Sequence, residues 1–188
     1  MRIPAKGMKT ILFIACTLLL AAISRRSLRN PTVHGFYRFF AFEGILILLF
    51  LNFNAWFWDP FTPVQIASWM LLSASAVFAI AGALALRNLG KPVAVPREGT
   101  NLPFENTSVL VTAGVFRYIR HPMYLSLLLL SWGIALKDPS SIPVSVAIAN
   151  TMFLLKTAEI EERENVARFG GDYESYRSRT WNFVPYLY

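Results

Sequence analysis

Two short stretches of the sequence contain residue types that can bind a charged small molecule. The first stretch ends in Arg120-His121-Pro122 and leads directly into an apolar run. Proline is favoured in the first turn of a helix, so we predict that a helix begins here, with His121 at or just before its N-terminus. The free N–H groups and the dipole of such a helix end attract anions, and Arg120 adds positive charge. The alternative is an interfacial turn in which arginine and tyrosine side chains meet lipid headgroups.

The second stretch, residues 159–176, is rich in acidic side chains. Four glutamates stand within six residues, Glu159, Glu161, Glu162 and Glu164. Like charges this close on one helix repel each other, so the cluster predicts a cationic neighbour. The basic loop before His121 and a cationic ligand are both candidates, and the simplest alternative is a solvated amphipathic tail. The helix itself is predicted to end at Gly170.

Composition indicates the kind of element that positions these stretches. The chain has 188 residues, 55% of them hydrophobic and 15% charged, with a mean hydropathy of +0.44. Soluble domains carry about a quarter charged residues. The net charge of +7 does not indicate a nucleic-acid partner, because the 18 Lys and Arg flank apolar blocks instead of forming one basic stripe. The single cysteine, Cys16, leaves no intrachain disulfide to form.

The apolar blocks predict an all-α membrane protein with about five transmembrane helices and a cytosolic C-terminal helical tail. A helix needs about 20 apolar residues to cross the hydrocarbon core. The predicted spans are residues 11–23, 39–58, 64–86, 123–136 and 142–155. The last two form a helical hairpin with its turn near Asp138. In the third span, Ser75, Ala79 and Ala83 have the four-residue spacing that suits close helix packing.

The charges between the blocks predict the orientation. The first block, up to residue 24, is compatible with a cleaved signal peptide. Arg25, Arg26 and Arg29 follow it at once, which favours a retained helix with a cytosolic end. Five spans then place fourteen Lys and Arg in the cytosol and four outside, so we predict an external N-terminus and a cytosolic C-terminus. Glu43 lies one turn from Arg38 in the second span, and we expect it to have a structural or interfacial role.

A specific pattern of residues runs through the second half of the chain. It comprises Arg120-His121-Pro122-Met123-Tyr124, Glu161-Glu162, Phe169-Gly170, Tyr173, Tyr176 and Pro185. In order and spacing, the pattern resembles the family of isoprenylcysteine carboxyl methyltransferases and phospholipid N-methyltransferases. The resemblance covers roughly residues 88–188, whereas residues 1–87 match only as generic membrane helices. We therefore interpret residues 1–188 as a single membrane methyltransferase domain, with N-terminal helices followed by a loop, a hairpin and a tail.

The resemblance implies an S-adenosylmethionine-dependent methyltransferase that acts on a lipophilic substrate in the bilayer, with membrane lipids as further partners. It implies that the cofactor contacts Ser108, Val109, Leu110, Val111, Phe116, His121, Pro122, Met123 and Tyr124. It also implies that the Glu161 carboxylate holds the cationic amino group of the cofactor. We predict no metal site and no catalytic base, since a sulfonium-bound methyl is already activated and its transfer to a carboxylate needs mainly positioning.

One departure from the family pattern bears on the substrate. Carboxyl methyltransferases of this family carry a substrate-facing arginine four residues before the glutamate, and here that position is Thr157. The departure predicts weak methylation of a prenylcysteine carboxylate.

Two other interpretations remain open from the sequence. NADPH-dependent sterol reductases have a similar His-Pro-x-Tyr turn, but Leu125-Ser126-Leu127 and the glutamate pair do not match them. A non-catalytic membrane scaffold is the third interpretation.

Overall fold

The computed structural model describes residues 6–93 and 105–184, and within these ranges the chain is all-helical, without a β-strand. The α-helices are α1 (Lys6–Ile23), α2 (His34–Leu51), α3 (Pro63–Leu89), α4 (Pro122–Ala135), α5 (Ser141–Phe169) and α6 (Gly171–Arg177). Short 3-10 helices lie at Ser27–Arg29 and Gly114–Arg117. The predicted all-α fold class is confirmed for these residues.

Three of the helices, α2, α3 and α5, are long and apolar enough to cross a membrane by length and composition. The other two predicted spans correspond to shorter apolar helices, α1 and the 14-residue α4. α2 ends at Leu51 instead of continuing to residue 58 as predicted. Trp56 and Trp58 therefore lie in the loop that follows α2. At the start of this loop, the Asn52 side-chain amide donates to the carbonyl oxygen of Ile134 at 2.6 Å.

The helices pack as two layers joined by the predicted hairpin. α3 packs mainly against α4, α2 packs mainly against α5, and the turn at residues 136–140 connects α4 to α5. One buried cluster joins α2 to the hairpin near its turn and consists of Ile45, Leu48, Ile134, Ala135 and Ala147. A second cluster lies at the opposite end and consists of Ala41, Tyr124, Leu154, Ala158 and Phe183. The second cluster supports the site described below.

Small and polar residues let α3 and α4 approach closely. The hydroxyl of Ser68 donates to the carbonyl oxygen of Gly133 at 2.6 Å, and that of Ser75 donates to the carbonyl oxygen of Ser126 at 2.8 Å. A β-carbon on Gly133 would lie 2.9 Å from the side chain of Leu72. The small residues buried on α3 are therefore Ser68, Ser75 and Gly82, at a seven-residue spacing, instead of the predicted four-residue series.

α5 is longer than the predicted fifth span. Its sequence contains neither glycine nor proline between Val144 and Phe169, so the helix continues past the apolar stretch 142–155 into the acidic segment. It ends at Gly170, as predicted, where φ is +56°. A side chain at this φ would be strained, which explains why a glycine ends the helix here. The acidic cluster is therefore held on a rigid extension of a core helix.

Candidate functional site

A cavity that is partly open to solvent lies at one end of the bundle. The cavity is surrounded by the first turns of α2 and α4, the last turn of α3 and the polar half of α5. The segment 105–121 and α6 close its remaining sides. Its ionisable side chains include His34, Arg38, Glu105, His121, Glu161 and Arg168.

Most of the sequence-predicted cofactor residues line this cavity. They are Leu110, Val111, Phe116, His121, Pro122, Met123, Tyr124 and Glu161. Ser108 and Val109 are exposed and instead line a neighbouring depression with Asp172 and Ser175. The Ser108 hydroxyl donates to the carbonyl oxygen of Lys91 at 2.9 Å.

The first predicted stretch forms the start of α4. His121 is the residue before the helix and Pro122 occupies its first turn, as predicted. The His121 side chain makes no capping hydrogen bond to the N–H groups of the first turn. Its ring stacks on that of Tyr124, with centroids 5.6 Å apart. An anion-attracting helix end therefore opens on the cavity.

The glutamate pair on α5 reaches the same place from the other arm of the hairpin. Nδ1 of His121 lies 3.8 Å from Oε2 of Glu161, and Nε2 lies 3.4 Å from Oε1 of Glu162. The prediction that both arms of the hairpin return to one level is thus confirmed. Two carboxylates therefore flank the two nitrogens of the His121 ring, and the one within hydrogen-bond distance is that of Glu162.

Glu161 is a carboxylate that its surroundings keep ionised. It lies on the polar half of α5, beyond the apolar stretch 142–155. Burial alone would raise the pKa of the Glu161 carboxyl, but the imidazoles of His34 and His121, a hydrogen bond with Tyr124 and the Arg38 charge together hold this pKa below its usual value. Such a group can receive a cationic amino group from a ligand.

Arg120 has a different role from the predicted one. Its Nε donates to Oε1 of Glu162 at 2.6 Å, and its Nη1 donates to the carbonyl oxygens of Arg177 and Thr180. Burial opposes ionisation of Glu162, but the hydrogen bonds from His121 and Arg120 lower the pKa of this carboxyl to about 2. Arg120 therefore anchors the tail to the hairpin, and Glu162 neutralises its charge.

The C-terminal tail closes the cavity. The buried Tyr176 hydroxyl donates to the carbonyl oxygen of Phe116 at 2.7 Å, and Tyr173 is equally buried beside it. Burial raises the pKa of both tyrosine hydroxyls, so both stay protonated donors. The N–H of His121 donates to the carbonyl oxygen of Asn182 at 3.1 Å. Pro185, the last residue of the predicted pattern, lies outside the described residues.

The family model for phospholipid methyltransferases matches residues 65–170, which is more than half of the chain. The chain belongs to the phospholipid methyltransferase family. This membership favours the methyltransferase interpretation over the reductase interpretation. With its apolar helices, the chain is an integral membrane protein.

Named relatives of this phospholipid methyltransferase family member act on different acceptors. Methanethiol S-methyltransferase 2 of Bradyrhizobium diazoefficiens is 30% identical over 156 residues, which cover 77% of this chain and 56% of the relative. Protein-S-isoprenylcysteine O-methyltransferase of Dictyostelium discoideum is 33% identical over 79 residues, which cover 41% of this chain and 33% of the relative. The aligned part thus spans about half or less of these relatives. No solved structure matches the chain.

The family match leaves out α2, yet α2 contributes two cavity residues that the sequence analysis missed. His34 and Arg38 stand one turn apart at the start of α2. Arg38 Nη1 donates to both carboxylate oxygens of Glu105, each at 3.1 Å. Glu43 accepts a hydrogen bond from the Thr17 hydroxyl at 2.6 Å. The sequence signal that could have revealed this pair is the i, i+4 spacing of His34 and Arg38, which places both side chains on one helix face.

Thr157, which replaces the expected arginine, does not face the cavity. It is fully buried in the bundle and its hydroxyl donates to the carbonyl oxygen of Phe153 at 2.7 Å. An arginine introduced here would have to enter a packed core, so the position offers no simple way to add a cation to the cavity.

Proposed function

We propose that the chain is an S-adenosylmethionine-dependent methyltransferase that methylates a lipophilic acceptor entering from the bilayer. One observation carries the proposal: His121, Tyr124 and Glu161 meet on the wall of a single cavity. Family membership and the methyltransferase names of the relatives support it.

The residues of the cavity fit this cofactor. Glu161 suits the ammonium of the methionine part, and the first turn of α4 suits its carboxylate. Phe116 and Tyr124 offer aromatic faces to a ligand in the cavity. When bound, the cofactor supplies a methyl group already activated on a sulfonium. The apolar part of the cavity wall includes Val111, Pro122 and Met123. Two residues of the predicted set, Ser108 and Val109, lie outside this wall.

The membrane arrangement follows from the same proposal. We infer five spans, with the shorter α1 and α4 crossing alongside the three long helices, an external N-terminus and a cytosolic C-terminus. Leu86 of α3 and Met123 of α4 line the cavity next to the apolar helices. An acceptor could therefore pass from the bilayer to the cavity without crossing the aqueous phase.

A methyl-transfer assay tests the proposal. The full chain in lipid nanodiscs is given methyl-labelled S-adenosylmethionine with, in turn, an alkanethiol, a prenylcysteine analogue and phosphatidylethanolamine. We expect label in at least one lipophilic product, with the prenylcysteine analogue a poor acceptor because Thr157 provides no cation for its carboxylate. Cofactor binding without transfer to any acceptor would instead support the scaffold interpretation.

A further inference from the structure

His34 and Glu164 form a histidine–carboxylate pair on the cavity wall. Nδ1 of His34 lies 2.7 Å from Oε2 of Glu164, and the backbone N–H of His34 donates to Oε1 of the same carboxylate at 2.9 Å. His34 is 1% exposed and lines the cavity. Because one carboxylate holds both the backbone and the ring, it fixes the orientation of the ring as well as its position.

This contact determines which nitrogen of His34 can accept a proton. A carboxylate accepts hydrogen bonds, so Nδ1 carries the hydrogen and the lone pair of the neutral ring is on Nε2. The other histidine of the cavity differs, since its two nitrogens face the carboxylates of Glu161 and Glu162. The His34 ring has one hydrogen-bonded carboxylate, that of Glu164, which is the arrangement that a general base uses, whereas Glu161 acts on this ring through its charge.

We propose that His34 is the general base that removes the proton from a thiol acceptor, with Glu164 as its positioning residue. The inference rests on the proposed methyltransferase function and names its acceptor class. A carboxylate acceptor is already ionised and needs no base, whereas a thiol must become a thiolate before it attacks.

Acid strength favours a thiol over an amine acceptor. Ordinary pKa values are about 8.5 for a cysteine thiol and about 10.4 for a lysine ammonium, against about 6.5 for an imidazole, so the thiol is the closer match. Cationic neighbours stabilise a thiolate, and two guanidinium groups line the same cavity, that of Arg38, which is paired with Glu105, and that of Arg168.

The step balances in atoms and charge. His34 Nε2 accepts the thiol proton and becomes an imidazolium, which the Glu164 carboxylate stabilises. The thiolate sulfur forms the new bond to the methyl carbon, and the electron pair of the broken carbon–sulfur bond stays on the sulfur of the sulfonium donor. The products are a thioether, the neutral donor sulfide and one proton, which His34 later returns to solvent.

The charged and titratable groups around His34 come from each element that borders the cavity. They are Arg38 on α2, Glu105 and Arg120 on the loop, His121 and Tyr124 at α4, Glu161, Glu164 and Arg168 on α5, and Tyr173 and Tyr176 on α6. A pH profile therefore reports on this whole set, and the test compares acceptors that differ only in how readily they ionise.

The experiment measures kcat/KM for an alkanethiol and for an arenethiol, which is largely ionised at neutral pH. We expect His34→Gln to lower the alkanethiol value about 10²–10⁴-fold and the arenethiol value by less than about tenfold. Loss of the charge-assisted contact in Glu164→Gln should lower the alkanethiol value about 10–100-fold. The ratio of the two acceptors is measured on one sample, so it does not depend on the fraction of folded protein.

A matched control lies on the same helix. Glu159 is an exposed glutamate paired with Lys156 and Arg163, so Glu159→Gln should leave both values unchanged. His34→Gln should still bind S-adenosylhomocysteine in calorimetry.

An equal loss with both thiols, or no loss with either, would overturn the role of His34. Wild-type transfer only to carboxylate or amine acceptors would overturn the thiol inference and leave the proposed function standing, whereas absence of donor binding would overturn the proposed function itself.

Discussion

Glu161 and Glu162 are consecutive residues with different partners. Glu161 lines the cavity beside Tyr124, whereas Glu162 is tied to Arg120 and the tail. Because adjacent helical residues point about 100° apart, a ligand-binding group and a structural group can stand side by side in the chain.

Glu161→Ala should weaken S-adenosylmethionine binding about 10–100-fold, since losing a charge-assisted hydrogen bond costs about 1.5–3 kcal/mol. Calorimetry in detergent measures this change. Glu164 is not a suitable control, although it lies on the same helix, because it holds His34. Glu159→Ala is the proper control, and equal weakening by Glu161→Ala and Glu159→Ala would contradict the role of Glu161.

Glu162 should make stability depend on pH. Its folded-state pKa of about 2 lies below the ordinary value, so its contribution is complete above about pH 4.5 and is lost as the pH falls toward 2. We expect Glu162→Gln to lower the melting temperature in detergent at pH 7, with the gap to wild type narrowing below about pH 4.5. A gap that stays constant across this interval would show that the carboxylate charge is not what stabilises the fold.

The residue scale also shows where sequence reasoning stopped. Residues joined by local spacing, such as His121 with Tyr124, could be predicted from the motif alone. His34 and Glu164 are 130 positions apart, and only the packing of α2 against α5 brings them together. No local pattern contains that information.

At the scale of elements, the contact between α3 and α4 depends on the absence of a side chain at Gly133. A β-carbon there would lie 2.9 Å from Leu72 and 3.2 Å from its backbone nitrogen. Gly133→Ala should therefore lower the free energy of unfolding by about 1–3 kcal/mol, measured by denaturation in detergent.

Gly7→Ala provides the control for this substitution. A β-carbon at Gly7 meets nothing within 4 Å, and alanine is the better helix former, so Gly7→Ala should be neutral or slightly stabilising. Equal destabilisation by the two substitutions would mean that close approach at Gly133 does not limit the packing.

The ends of the helices could be predicted where a single local residue determines them, and could not where contacts with distant residues matter. The start of α4 at Pro122 and the end of α5 at Gly170 agree with the prediction because proline and glycine act locally. The end of α2 and the extension of α5 differ from the prediction. Asn52, the residue after α2, is hydrogen-bonded to a residue 82 positions away, and α5 continues past its apolar stretch.

At the scale of the whole molecule, five spans require the termini to lie on opposite sides of the membrane. Reporter fusions at each end test this orientation, and we expect an external N-terminus and a cytosolic C-terminus because the positive charges concentrate on one side. Both reporters on one side would contradict a five-span arrangement and would point to one of the shorter helices, α1 or α4, not crossing.

The central claim is tested most directly by measuring which small molecule the protein binds. Purified full-length protein in detergent is titrated separately with S-adenosylhomocysteine and with NADPH in a calorimeter. The cavity around Glu161 and the first turn of α4 predicts saturable binding of S-adenosylhomocysteine to one site per chain and no binding of NADPH. Saturable binding of NADPH without binding of S-adenosylhomocysteine would contradict the methyltransferase account.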